Sequence, residues 1–159
     1  MPGLSRKGPE HPVGVLVKPA SSRCNLNCTY CFYLSKMDLY PWRHHPKLTV
    51  ETFGIFLEQY VPMSAPFLSF GWQGGEPTLM GLEFYEQIVA MQRQSTRKFN
   101  PLNPPGVTNS IQTNGTMLND DWARFFKNRN FLVGVSLDGP PEVHDRYRRD
   151  WSDRPTFDR

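Results

Sequence analysis

Three cysteines lie within eight positions of one another in this chain of 159 residues, at Cys24, Cys28 and Cys31. An odd number of closely spaced cysteines does not suit a disulfide framework, which needs pairs spread along the chain. Three thiolates on one loop instead suit a cubane [4Fe–4S] cluster in which three irons have a protein ligand and the fourth has none. An iron with an open position can coordinate a small molecule.

Two other interpretations of the cysteines remain open. A zinc site needs a fourth ligand, usually His or Cys, and His44 and His45 follow Cys31 at a distance of 13 residues or more. The three thiols could also be buried without any metal. The close spacing, directly after a predicted strand, favours the cluster over both.

Strand-type and helix-type patterns alternate along the chain around these cysteines. The patterns predict strands over 13–17, 67–70, 107–112 and 131–137. They predict helices from the N-cap Thr49 to about Pro62, over 82–97, from the N-cap Asn119 onward, and over 141–149. A β-α-β-α-β-α-β order is typical of parallel βα units, so the predicted fold class is α/β.

A polar or glycine-rich segment follows each of the four predicted strands. These segments are the cysteine loop and residues 71–77, 113–115 and 138–140. In a parallel barrel or open α/β sheet, the carboxyl ends of the strands meet on one face, where ligands bind. We therefore expect the four segments to form one site.

Composition and charge exclude several other classes of protein. The net charge of +3 and the pI of about 8.8 are too mild to indicate nucleic-acid binding. The arginines of residues 142–159 are matched by an equal number of acidic residues. No apolar run is long enough for a membrane helix, and the N-terminus lacks the apolar stretch of a secretory signal. These features predict a soluble cytoplasmic protein with no nucleic-acid or membrane partner, a flexible segment over 1–12 and one domain over 13–159.

The cysteine pattern with an aromatic residue, Tyr30, before its last cysteine resembles the radical S-adenosylmethionine superfamily, and so does the later Gly74-Gly75-Glu76-Pro77. The resemblance implies that the open iron binds the amino and carboxylate groups of S-adenosylmethionine. An electron from the cluster then cleaves this cofactor to a 5′-deoxyadenosyl radical, which abstracts hydrogen from the substrate. Adjacent glycines let a backbone approach a ligand closely. Glu76 or neighbouring carbonyls are candidate acceptors for the methionyl ammonium.

Further motifs resemble a narrower family, the anaerobic sulfatase-maturating enzymes. They are Lys18-Pro19, Trp72 to Leu79, Gln112 to Thr116, and Ser136 to Pro140 followed by His144, Asp145 and Arg148. This resemblance implies oxidation of a Cys or Ser of a sulfatase polypeptide to Cα-formylglycine, with an electron donor such as a flavodoxin or ferredoxin. It also implies a (β/α) barrel of radical SAM type, here partial and truncated after about four βα units.

Members of this family are more than twice as long as this chain. They carry a Cys-rich C-terminal region with two further iron–sulfur clusters, and their general base is a downstream Asp. We therefore expect this chain to be the N-terminal portion of a longer protein, whose catalytic base lies beyond residue 159. Two alternatives stay open. One is another peptide-modifying radical enzyme that forms a thioether or epimerises a residue, and the other is a zinc-binding module.

The resemblance assigns roles to residues by position. Cys24, Cys28 and Cys31 would hold the cluster, and Tyr30 would contact the adenine. Gly75 would lie against the methionyl part of the cofactor, with Glu76 beside it, and Ser136 and Arg148 would bind its carboxylate or ribose. Gln73, Gln112 and Asn114 would line the cofactor and substrate side of the cavity. For Arg148, the alternative is an ion pair with Asp145, and Asp138-Gly139 is expected to form a turn.

Overall fold

The computed structural model describes residues 13–39 and 47–159. The predicted flexible segment 1–12 lies outside the described residues, and so do His44 and His45, the candidate ligands of the zinc alternative. Among the described residues, none of the helices combines the length and the apolar character that crossing a bilayer requires.

Four parallel strands form one sheet in the order in which they occur along the chain. The strands are β1 (Gly14–Val17), β2 (Phe67–Trp72), β3 (Gly106–Thr113) and β4 (Phe131–Val135). The α-helices are α1 (Val50–Ser64), α2 (Leu82–Phe99), α3 (Asp120–Arg129) and α4 (Pro141–Tyr147). Two short 3-10 helices cover Leu34–Leu39 and Pro77–Met80. The prediction of an α/β fold with parallel strands is confirmed, and the sheet is open.

An aromatic core fills the space between one face of the sheet and the helices. On β2, Leu68, Phe70 and Trp72 are buried in this core, because alternate side chains of a strand point to the same face. The indole N–H of Trp72 donates to Asn109 Oδ1 at 2.9 Å, so this buried donor has a partner. The opposite face of the sheet leaves Leu132 of β4 74% exposed.

Two predicted helix starts are confirmed by their capping hydrogen bonds. The Thr49 side chain accepts from the Thr52 amide, and the Asn119 side chain accepts from the Asp121 and Trp122 amides. These bonds satisfy amides that have no partner in the first turn of a helix.

Several element ends differ from the prediction. β2 extends to Trp72 because Gly71 and Trp72 pair with residues of both β1 and β3. Helix α1 continues past Pro62, since the Ala65 amide still bonds to the Val61 carbonyl at 3.1 Å. The predicted strand over 131–137 ends at Val135.

Helix α4 also ends earlier than predicted, at Tyr147 rather than Arg149. The carbonyls of Tyr147 and Arg149 accept hydrogen bonds from the cysteine loop. The end of α4 is therefore set by a contact between segments that are far apart in the sequence.

Candidate active site

One pocket of about 180 Å³ lies at the carboxyl ends of the strands. Three of the four predicted segments line it, and after the fourth strand it is Ser136, not residues 138–140, that reaches the pocket. Every candidate site residue from the sequence is part of its wall: Cys24, Cys28, Tyr30, Cys31, Gln73, Gly75, Glu76, Gln112, Asn114, Ser136 and Arg148. A larger groove of about 690 Å³ between α1 and α2 contains none of these residues. The chemistry of the walls, not the volume, identifies the candidate site.

The three cysteines are free thiols, of which Cys28 is buried and the other two are half-buried. Burial raises the pKa of Cys24 to about 11, although the Leu26 amide, 3.4 Å from its sulfur, acts in the opposite direction. Burial also raises the pKa of Cys28, and the positive charge of Arg148 opposes this effect. The surroundings of the loop therefore favour protonated thiols at Cys24 and Cys28.

Gly75 is required by the protein's own backbone. Its amide donates to the Ser21 carbonyl at 2.9 Å, and the next amide, that of Glu76, donates to the Arg23 carbonyl at 2.8 Å. A Cβ atom on Gly75 would lie 1.9 Å from the Arg23 carbonyl oxygen. The interpretation that the paired glycines make room for a ligand is therefore incomplete, because Gly75 first makes room for the segment that leads into Cys24.

The Glu76 side chain is 1% exposed, and its carboxylate is saturated by donors of the fold. One oxygen accepts from the amide and hydroxyl of Thr78 and from the Thr113 hydroxyl, and the other accepts from the Asn114 amide. These four bonds favour a structural role, and the suggestion that this carboxylate receives a ligand ammonium stays a prediction. The carboxylate ties the end of β2 to the end of β3, and neighbouring backbone carbonyls remain as candidate acceptors.

Asp138 joins two of the candidate site residues after β4. It accepts a hydrogen bond from the Tyr30 hydroxyl, and its Oδ2 lies 3.0 Å from Arg148 Nε in an ion pair. Burial raises the pKa of Asp138, but the Tyr30 hydrogen bond and the Arg148 charge outweigh burial and lower it overall. The Arg148 guanidinium also lies 5.5 Å from the centre of the Tyr30 ring, within range of a cation–π contact.

The alternative in which Arg148 pairs with Asp145 is wrong. The Asp145 carboxylate accepts from the backbone amides of Thr156 and Phe157 instead. Asp138 was assigned only to a turn, which Gly139 does form with its φ of 95°. An acidic residue directly after a strand that ends in the site was the signal that could have identified Asp138.

Asn114 holds the cysteine loop as well as lining the pocket. Its amide nitrogen donates to Asn25 Oδ1 at 2.8 Å and lies 3.7 Å from Cys24 Sγ, and its oxygen accepts from Thr116. Both ends of the amide already have partners, and the expectation that Asn114 lines the cofactor and substrate side of the cavity stays a prediction.

Gln73 and Gln112 lie where the site meets a second pocket. This pocket, of about 400 Å³, covers the face of the sheet opposite the helices and includes Leu16, Ser110 and Leu132. Gln112 Nε2 donates to Ser136 Oγ at 2.9 Å, which links β3 to the end of β4. The two glutamines therefore separate a cysteine-lined pocket from a pocket with small polar and aliphatic walls.

The sequence model of the Radical SAM superfamily matches residues 19–158, nearly the whole chain. The chain belongs to the radical SAM superfamily. Members of this superfamily use a [4Fe–4S] cluster and S-adenosylmethionine. The residues present fit such a cluster, since one loop offers three free thiols and each thiolate can bind a different iron. Among the described residues, no three His, Cys, Asp or Glu side chains are grouped as ligands of a single metal ion.

Within the radical SAM superfamily, the chain is similar to curated sulfatase-maturating enzymes of both substrate types. It is 40% identical over 148 residues to the cysteine-type anaerobic sulfatase-maturating enzyme of Clostridium novyi, covering 92% of this chain and 38% of the relative. It is also 40% identical over 149 residues to the serine-type anaerobic sulfatase-maturating enzyme of Bacteroides thetaiotaomicron. That match covers 92% of this chain and 34% of the relative. Identity therefore does not separate the two substrate types.

The fold of this radical SAM chain is also similar to solved structures. The structure described as "Native anSMEcpe with bound AdoMet and Cp18Cys peptide" matches with a TM-score of 0.79 and 40% identity, covering 92% of this chain and 37% of that one. "Native anSMEcpe with bound AdoMet" matches with a TM-score of 0.80 and 41% identity, covering 92% and 38%. The chain thus spans less than two fifths of the length of these relatives.

Proposed function

We propose that residues 13–159 are the radical SAM core of an oxidoreductase that converts a Cys or Ser of a sulfatase to Cα-formylglycine. The observation that carries this proposal is the single pocket in which three free thiols meet the ends of all four parallel strands. The similarity to sulfatase-maturating enzymes of both substrate types supports the choice of substrate. Free thiols in this loop fit a reducing compartment, and we propose a cytoplasmic location.

Cys24, Cys28 and Cys31 are the residues that would hold the cluster. When bound, the cluster supplies the electron that cleaves S-adenosylmethionine and so starts hydrogen abstraction from the substrate. Iron binds thiolates, so the binding of the cluster must release the protons that burial favours on Cys24 and Cys28. We assign the supply of electrons to a partner such as a flavodoxin or ferredoxin.

Arg148 and Ser136 are suited to the carboxylate or ribose of S-adenosylmethionine. The Arg148 charge is partly balanced by Asp138, which leaves the guanidinium oriented but still able to donate. Tyr30 is fixed by the same carboxylate, and its ring offers a flat surface for the adenine. We place the methionyl ammonium beside Gly75, where backbone carbonyls and not the occupied Glu76 carboxylate would accept its hydrogen bonds.

The substrate side is supported by the second pocket. The two pockets share Gln73 and Gln112, and their combined volume falls within the roughly 300–1,000 Å³ common for small-molecule and cofactor sites. A primary amide offers both a donor and an acceptor, which matches the groups of a peptide backbone. We propose that these glutamines orient the sulfatase segment next to the cofactor.

The test is the incubation of the longer protein, of which this chain is expected to be the N-terminal portion, with S-adenosylmethionine, dithionite and a sulfatase peptide after anaerobic reconstitution, followed by mass spectrometry. We expect the target Cys or Ser to be replaced by an aldehyde residue, and the Cys24→Ala protein to leave the peptide unchanged. A thioether or an epimerised residue would instead identify another peptide-modifying radical enzyme. If the protein purified without oxygen contained zinc but neither iron nor sulfide, sulfatase maturation and the other radical chemistry would both be overturned.

A further inference from the structure

A segment from which the proposed chemistry uses only Arg148 holds the cysteine loop in place. This segment, Tyr147 to Arg159, is called the strap. The Asn27 amide donates to the Arg149 carbonyl at 2.7 Å, and the Thr29 amide donates to the Tyr147 carbonyl at 3.0 Å. Next to the Asn27–Arg149 bond, Leu26 pairs with Asp150 in an antiparallel bridge.

The strap also reaches the first cysteine directly. The indole N–H of Trp151 donates to the Cys24 carbonyl at 3.0 Å. The loop from Cys24 to Cys31 forms neither a helix nor a strand of the sheet. Its backbone is therefore fixed to a large extent by hydrogen bonds to the strap.

Asp150 in turn fixes the strap. Its side chain is 7% exposed, and its Oδ1 accepts from the Ser152 amide at 2.9 Å and the Arg154 amide at 3.0 Å. Its Oδ2 pairs with Arg154 Nε at 2.8 Å and with Arg159 Nη2 at 3.0 Å. The Asp150 carboxylate thus stabilises the turn after Trp151 and forms ion pairs with two arginines.

We propose that Asp150 is a positioning residue for the iron–sulfur cluster, acting through the strap on the backbone that carries the three cysteines. A loop that is already folded before iron binds loses less conformational freedom on loading and holds its sulfur atoms in one arrangement. The statement about the cluster rests on the proposed function. The statement that Asp150 holds the loop does not, because it follows from contacts of this chain alone.

Amide hydrogen exchange of the iron-free protein tests the hold on the loop. Asn27 and Thr29 have exposed side chains, so their amides depend on the strap for protection. In Asp150→Ala we expect both amides to exchange on the order of tenfold faster or more. Asp150→Asn keeps an acceptor for the two amides but loses the charge that pairs the arginines, so an intermediate effect is expected.

The matched control is Asp153→Asn, the same change three residues away on a carboxylate that is 83% exposed. It should leave both amides as protected as in the wild type. The Cys31 amide, which bonds within the loop to the Cys28 carbonyl at 3.1 Å, serves as an internal reference, and the amides of β2 and β3 report whether the fold is intact. If Asp150→Ala does not fold, the exchange rates of Asn27 and Thr29 in Asp150→Asn decide whether Asp150 holds the loop. Unchanged Asn27 and Thr29 exchange in a folded Asp150 variant would overturn the proposal.

The reduced, iron-loaded protein tests the effect on the cluster by electron paramagnetic resonance. We expect Asp150→Ala to broaden the cluster signal and weaken its response to S-adenosylmethionine, and Asp153→Asn to preserve both. A role limited to stability would lower the unfolding midpoint and leave the signal of the folded protein unchanged, which would overturn the positioning role. Wild-type protein without iron would contradict the proposed function, whereas the exchange data would still decide whether Asp150 holds the loop.

Discussion

The Tyr30 hydroxyl donates a hydrogen bond to the carboxylate of Asp138, 108 positions further along the chain. Tyr30 lies between the second and third cysteines, and Asp138 follows the last strand of the sheet. Because Arg148 pairs with the same carboxylate, one acidic side chain orients both an aromatic and a cationic residue toward the pocket. The first and last segments of the site therefore do not move independently.

Replacing Tyr30 with Phe keeps the ring but removes its link to Asp138. We expect the affinity for S-adenosylmethionine to fall by about fivefold, since a single hydrogen bond contributes on the order of 1 kcal/mol. Titration of the iron-loaded protein with the cofactor measures this change. Tyr147→Phe is the control, because that ring lies 6.3 Å from Tyr30 and its hydroxyl makes no hydrogen bond within the described residues. Equal affinity in the wild type and Tyr30→Phe would show that the link does not orient the ring for binding.

Adding a methyl group at Gly75 should damage the fold as well as the site. In Gly75→Ala the new Cβ would meet the Arg23 carbonyl at 1.9 Å, so the backbone leading into the cysteine loop must shift. We expect a loss of about 1–3 kcal/mol or more in the free energy of unfolding, measured with urea. Gly14→Ala is the control, because its nearest neighbour would lie at an ordinary 3.8 Å. Equal stability of the two variants would contradict the close approach.

Glu76 offers a test of a structural role against a ligand-binding role. In Glu76→Gln an amide NH₂ replaces one acceptor oxygen and faces donors, so at least one buried group loses its partner. We expect a loss of about 1–3 kcal/mol of stability. The exposed Glu83, which accepts only from Gln87 in the next helical turn, is the control, and Glu83→Gln should change stability by less than about 0.5 kcal/mol. A Glu76→Gln protein of normal stability that fails to bind S-adenosylmethionine would favour direct contact with the cofactor instead.

The iron-free protein should show a pH-dependent reactivity at Cys24. Since burial raises the pKa from 9.0 to about 11, its thiolate fraction below pH 9 is about 100-fold lower than that of an ordinary thiol. Alkylation of a Cys28→Ser, Cys31→Ser protein should therefore be slow at pH 8 and rise steeply toward pH 11. The same protein unfolded in urea is the control and should react at the ordinary rate. Fast alkylation of the folded protein at pH 8 would show that Cys24 is more open than its surroundings indicate.

The same shift links pH to stability. The folded state holds the Cys24 proton more tightly than the unfolded state does, so this group's contribution is complete below about pH 9. It decreases as pH rises from 9 toward 11, because the unfolded chain ionises first.

The order of elements and the position of the site could be predicted because both follow from local patterns. Capping residues at Thr49 and Asn119 marked helix starts, and polar segments after apolar strands marked one face of a parallel sheet. The grouping of the three thiols on one loop was predicted from the spacing of the cysteines alone. None of this requires knowing which distant side chains meet.

The partners of individual side chains could not be predicted in the same way. Proximity along the chain suggested Asp145 for Arg148, but Asp145 is occupied by amides more than ten residues beyond it. Gly75 and Glu76 belong to a motif that indicates a ligand, yet their immediate partners are Arg23 and the end of β3. Competition among donors for one carboxylate is decided by the assembled fold and not by neighbours in sequence.

The bond between Cys24 and Trp151 spans 127 positions, which has a consequence for the order of events during translation. A ribosome adds about 5–20 residues per second, so the cysteines are made roughly 6–25 s before the segment that shapes their loop. During that interval the thiols lie on an unsupported stretch of nascent chain, open to oxidants and competing metals. We therefore expect the loop to take its final shape, and to be ready for iron and sulfide, only after Trp151 has been synthesised.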